Sequence, residues 1–216
     1  MKQDRQTKHH AKKSGNGADG HGRSSSGSRG RAAELDSGWL MEFLSEMLTV
    51  ERGGVMLYEK ALRELEHEEL GEQLEEFLEE TRRHVELCEE MVKAAGGDPE
   101  EMSPGAEAAQ SKAEGLLAVE VPAHMADMNN IENLVLAETK DHWNCDLLAK
   151  KMKLIKDKEL KSVISDAVRE AGKQERDHVN WNTETLTELA DEMSQQGAGE
   201  EMEEDEGEER EEEERY

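Results

Sequence analysis

Apolar residues recur through the middle of this chain in alternating steps of three and four, the spacing of one buried face on an α-helix. Four stretches carry it. The first runs from about Gly38 to Leu65 and reads Leu40, Leu44, Met47, Glu51, Val55, Tyr58, Leu62, Leu65 along its stripe, with Asp36 or Ser37 placed to cap it. The second, from about Leu70 to Ala95, reads Leu70, Leu74, Phe77, Thr81, His84, Cys88, Met91, Ala95 and stops at Gly96-Gly97-Asp98-Pro99. A third, about Ala123–Lys156, presents Ile131, Leu134, Glu138, His142, Cys145, Leu148, Met152 and Ile155. The fourth, about Lys158–Glu192 with Asp157 as its cap, presents Leu160, Ile164, Ala167, Ala171, Glu175, His178, Trp181, Thr185 and Leu189.

The first and second stretches, and the third and fourth, are joined by short turns. The second and third are separated by a long connection from Gly96 to about Val121, in which 107–119 is expected to form a short helix. Two short turns and one long crossover predict an all-α fold, a four-helix bundle with one crossover connection. At ~1.5 Å per residue each helix is roughly 40–50 Å long.

Carboxylates do not belong on an apolar stripe, since burying one in its ionised form costs several kcal/mol unless a partner neutralises it. Glu51, Glu138 and Glu175 nevertheless lie in register with the Leu and Met positions near mid-helix, and His84 and His178 share those faces. No Lys or Arg falls on the stripes nearby, so divalent cations are the expected counter-charge, two balancing the acids better than one. Glu175-Arg176-Asp177-His178 has the i, i+3 spacing that aims both side chains at one point. Tyr58, two turns beyond Glu51 on the same face, is placed to hydrogen-bond a metal-bound carboxylate. The chain also looks internally duplicated, because Thr81-Arg82-Arg83-His84-Val85 aligns with Glu175-Arg176-Asp177-His178-Val179. A second Glu-x-x-His match, Glu64 to His67, lies off the stripe and reads as solvated.

On these residues the region 38–192 resembles the ferritin-like di-iron carboxylate superfamily, and the segment from Asn133 to Trp143 resembles uncharacterised bacterial ferritin-like proteins. The resemblance implies a ferritin-like four-helix bundle. It also implies Glu51, Glu138 and Glu175 as carboxylate ligands of iron, His84 and His178 as imidazole ligands, and Tyr58 beside them, behind the ligands, as the catalytic group. The departure is at Thr81, where the family has a bridging glutamate. His142, one turn after Glu138, is a candidate sixth metal ligand in its place, and Glu80 is another.

Carboxylate with imidazole suits iron or manganese better than softer metals. The expected chemistry is ferroxidase or peroxide-consuming redox activity with O2 or peroxide as partner. The same residues would serve a manganese catalase-like enzyme, and a helical stress-response or scaffold protein with a degenerate site is the non-enzymatic alternative. No paired Cys-x-x-Cys motifs are present to hold a rubredoxin-like iron. The cysteines Cys88 and Cys145 read as small core residues.

Charge divides the chain further. Its 216 residues hold 53 Asp and Glu against 27 Lys and Arg, for a net charge of −26. Residues 1–35 form a basic, Gly/Ser-rich arm of net about +5, and 199–216 an acidic tail of net about −10. Both are expected to be disordered, leaving 36–198 as the domain. That domain keeps about −21, which makes nucleic acid an unlikely partner except at the arm. No run approaches the ~20 apolar residues of a membrane span, and no signal sequence is evident. A cytoplasmic monomer or homodimer is the expectation.

Overall fold

The computed structural model describes residues 34–213, with side chains to 195. It consists of five α-helices with short turns between them: α1 (Ser37–Arg63), α2 (Gly71–Ala94), α3 (Pro104–Leu117), α4 (Ala126–Lys151) and α5 (Lys158–Glu213). No strand occurs among the described residues. The expected basic arm, 1–35, lies almost wholly outside them, and so do the side chains of the expected acidic tail.

Local chemistry sets the helix ends. The Trp39 amide donates to Oδ1 of Asp36 at 2.8 Å, and the Leu160 amide to Oδ1 of Asp157 at 2.9 Å, so both expected caps are made. Ser103 accepts from the Ala106 amide at 3.2 Å and Pro104 occupies the first turn, so α3 begins three residues before the expected Glu107. Past the end of α2, Gly96 adopts φ +87° and the Gly97 amide returns to the Val92 carbonyl. α4 is shorter than its stripe implies, because 123–125 and 152–154 tighten into 3-10 turns. The backbone of α5 continues beyond the expected end at Glu192, through glutamate-rich sequence with no proline to stop it.

α1 packs on α2 and α4, while α5 packs on α2 and α4, so the four long helices meet in a closed cycle; α3 lies along α1. Gly53 allows that approach, since a Cβ there would stand 2.9 Å from the Cβ of Ala113. The apolar interior falls into two clusters. One gathers Leu44, Met47, Met91, Leu148 and Ile164, the other Leu57, Leu74, Phe77, Ile131, Leu134 and Leu189. Between them lies a layer of buried polar side chains contributed by all four long helices. Stripe residues toward the helix ends, such as Leu65, Leu70 and Met152, are only partly buried. Among the described residues no helix is long and apolar enough to cross a membrane.

Candidate metal centre

The polar layer is where the interrupted stripes meet. α1 supplies Glu51 and Tyr58, α2 His84, α4 Glu138, and α5 Glu175 and His178; none is more than 2% exposed. They form two triads, Glu51–His84–Glu175 and Glu138–Glu175–His178, in each of which one ligand atom per residue lies within 4.8 Å of the others. Glu175 belongs to both. Nδ1 of His84 stands 2.7 Å from Oε1 of Glu175 and 3.7 Å from Oε2 of Glu51, and Nδ1 of His178 stands 3.1 Å from Oε2 of Glu138.

The far side of each imidazole is tied to one outer group. Nε2 of His84 donates to Oε1 of Gln174 at 3.0 Å, Nε2 of Gln174 donates to Oε1 of Glu80 at 2.5 Å, and Nε2 of His178 donates to Oε2 of Glu80 at 2.8 Å. A proton held on Nε2 turns Nδ1 of each ring to the carboxylates, as a lone pair for a cation when the ring is neutral and, in His178, as a second N–H toward Glu138 when the ring is charged. Oε2 of Glu51, Nδ1 of His84 and Oε2 of Glu175 are fully buried and have no hydrogen-bond partner. Buried polar atoms are rarely left so. Orphaned lone pairs converging from three helices fit a cation.

The electrostatics agree. Burial, reinforced by the charges of Glu51 and Glu138, pushes the Glu175 carboxyl well above its ordinary range, and burial also raises Glu51 against the pull of His84. Burial works against the charge on His84, but Glu175 and Glu51 outweigh it and lift the ring to about 11. Glu138 is the exception. Burial would raise it, yet the hydrogen bond and charge of His178, with help from Tyr58 and Glu175, bring it below the usual carboxylate range. Burial and then the Glu138 charge hold the Tyr58 phenol well above 10.0. The site therefore draws protons or other cations to acids that would be bare at neutral pH.

Other expected residues stand elsewhere. His142 is half-buried, belongs to neither triad and leaves its Nδ1 unpartnered; the buried residue on that turn is its neighbour Asp141. The hydroxyl of Thr81 is spent on the Phe77 carbonyl at 2.8 Å, and its methyl faces Gly54, where a Cβ would approach to 3.3 Å. Glu80 reaches the site from outside, through His178. Glu64 pairs with Lys60 and His67 with Asp127, so that Glu-x-x-His match aims at two different partners. Cys88 and Cys145 are buried free thiols, both raised chiefly by burial.

Gln174, Asn182 and Asp141 are absent from the sequence-based candidates. Asn182 donates to the His178 carbonyl at 2.9 Å and to the Tyr58 hydroxyl at 3.4 Å, and its spacing four residues after His178 on the same stripe was a usable signal. Gln174 sits at the edge of the stripe beside Glu175, where periodicity carries no such signal.

A family model described as "Domain of unknown function (DUF892)" matches residues 37–138, slightly less than half the chain. The matched region holds Glu51, Tyr58, His84 and Glu138 and ends before Glu175 and His178. No curated protein and no solved structure matches the chain.

Proposed function

We propose that this chain is a ferritin-like four-helix-bundle protein that holds two transition-metal ions, iron or alternatively manganese, and uses them in ferroxidase or peroxide-consuming chemistry. The observation that carries the reading is the sharing of Glu175 by two buried triads, with Oε2 of Glu175, Oε2 of Glu51 and Nδ1 of His84 left without a hydrogen-bond partner. Two divalent ions offset the three carboxylates, which a buried site otherwise tolerates only by taking up protons.

Ions bound there supply one-electron redox chemistry toward O2 or peroxide. The protein's own groups do the rest. Glu175 spans the two positions, with Glu51 and His84 on one side and Glu138 and His178 on the other. Gln174 and Glu80 keep a proton on Nε2 of each ring, so that Nδ1 remains a ligand. The Tyr58 phenol stays protonated beside Glu138 and steadies that carboxylate. The apolar clusters above and below exclude water from the layer.

Elemental analysis of protein purified without chelator or affinity metal tests the reading: about two ions per chain are expected, with Fe(II) oxidation by O2 or peroxide above the buffer rate. Absence of metal, or identical metal content in Glu175→Ala, overturns it. Thr81 favours a second reading, a non-enzymatic helical scaffold, because α2 lacks the family's second bridging carboxylate. That reading wins if Glu51→Ala and Glu175→Ala stabilise the protein in chelator and Fe(II) changes neither.

A further inference from the structure

One buried acid has no part in the centre so far. Asp141 follows Glu138 by three residues on α4, the spacing that also joins Glu175 to His178, so both carboxyls leave the helix on the same side. It is 2% exposed, its Oδ1 has no hydrogen-bond partner, and neither oxygen is hydrogen-bonded among the described residues. The acids whose charges bear on it are Glu51 first, then Glu175 and Glu138. Lys140 opposes those charges, but its ammonium is directed elsewhere, to Glu46 at 2.8 Å and to Oδ1 of Asn144 at 2.6 Å.

A carboxyl buried in the field of three others without a partner is unfavourable by several kcal/mol unless a cation sits within reach. α2 meanwhile lacks the carboxylate that would complete the centre, because Thr81 turns its hydroxyl to its own helix. Asp141 stands outside the 4.8 Å that unites each triad, too far to share an ion directly with all three of its groups and suited to contact across a coordinated water.

We infer that Asp141 is a further carboxylate of the metal centre, acting across one water on the ion held by Glu51, His84 and Glu175, and that it offsets the acid missing at Thr81. The inference rests on the metal-binding reading above. It makes the two ion positions unequal, with an extra acid on the Glu51 side and the Glu80-anchored imidazole on the other.

The test is titration of the full-length chain with Mn(II), followed by electron paramagnetic resonance, for the wild type, Asp141→Asn, Glu138→Gln and the double variant that combines the two. Asp141→Asn preserves shape, and far-UV circular dichroism checks its fold. One of the two Mn(II) ions should bind 10–100-fold more weakly in Asp141→Asn, as for loss of an outer-shell partner. The ion that Glu138→Gln retains should be the one that the double variant weakens. As a second measurement, Mn(II) should raise the melting temperature of Asp141→Asn less than that of the wild type. Equal affinities and equal thermal shifts in wild type and Asp141→Asn overturn the inference while leaving the centre intact. A wild type that binds no Mn(II) and no Fe(II) overturns the centre itself, which is a different result.

Discussion

Nδ1 of His84 lies 2.7 Å from Oε1 of Glu175, yet the two atoms do not align as a hydrogen bond. With the Nε2 proton committed to Gln174, the contact joins a ring lone pair to a carboxylate lone pair, and the pair is stable only with positive charge between or upon them. A proton supplies it at the expense of an imidazolium in a layer almost closed to water. A metal ion in each triad would supply it without an imidazolium.

Glu175 is therefore the residue whose loss should be felt at both positions. Glu175→Gln keeps the shape of the protonated acid, the form that burial favours, and in chelator its stability should stay within about 1 kcal/mol of wild type. At 100 times the dissociation constant, bound metal should add about 2.7 kcal/mol to the wild type and almost nothing to the variant. Urea denaturation with and without Mn(II) measures both; equal metal-induced stabilisation would contradict a shared ligand.

Stability in chelator should fall as pH rises. His84 has its pKa raised from 6.5 to about 11, so its contribution is complete below 6.5 and is lost as pH climbs toward 11. Glu51 and Glu175, raised above 4.5, act in the same direction from lower pH, because the folded state holds their protons more tightly than the unfolded chain does. Glu138, lowered, opposes them only below 4.5. Metal affinity should run the other way and strengthen with pH, since binding displaces those protons. Melting temperatures across pH 5 to 9, with chelator and with Mn(II), should diverge. Parallel curves would show that the ions do not compete with protons for these acids.

Glu80→Gln tests the outer shell. The amide can no longer accept from both His178 and Gln174 as the carboxylate does, so the imidazole loses its orienting charge. Affinity for the ion at the Glu138 side should weaken about 10–100-fold with the helical content unchanged. Unaltered Mn(II) binding would reduce Glu80 to a surface ion pair.

Two glycines should respond with opposite signs. Gly53→Ala drives a methyl against Ala113 at 2.9 Å, where α1 meets α3, and should destabilise by about 1–3 kcal/mol. Gly115→Ala meets nothing within 4 Å in the last turn of α3 and should stabilise by up to about 1 kcal/mol. Chemical denaturation of the two variants distinguishes a packing glycine from a dispensable one.

The helices and the composition of the polar layer were legible because a period of 3.6 residues leaves little freedom. Once Leu44, Met47 and Tyr58 face inward, Glu51 must do so as well, and the same reasoning reaches His84, Glu138, Glu175 and His178. The caps at Asp36 and Asp157 were legible because the first turn needs an acceptor wherever it begins. Helix ends were less so: tight turns shorten α4, and nothing in the apolar pattern marks where α5 stops.

Periodicity along one chain cannot say how far a helix is rotated about its axis. Residues three and four after Glu138 straddle the same inward line, so Asp141 and His142 were equivalent until packing against α1 and α5 turned α4 to bury the first and leave the second half-exposed. The same limit applies to Glu175 standing in both triads, to Glu80 reaching His178, and to the ring nitrogen each histidine turns inward. Each of these depends on distances between helices, which arise from side-chain packing and have no counterpart in the spacing of residues along any one of them.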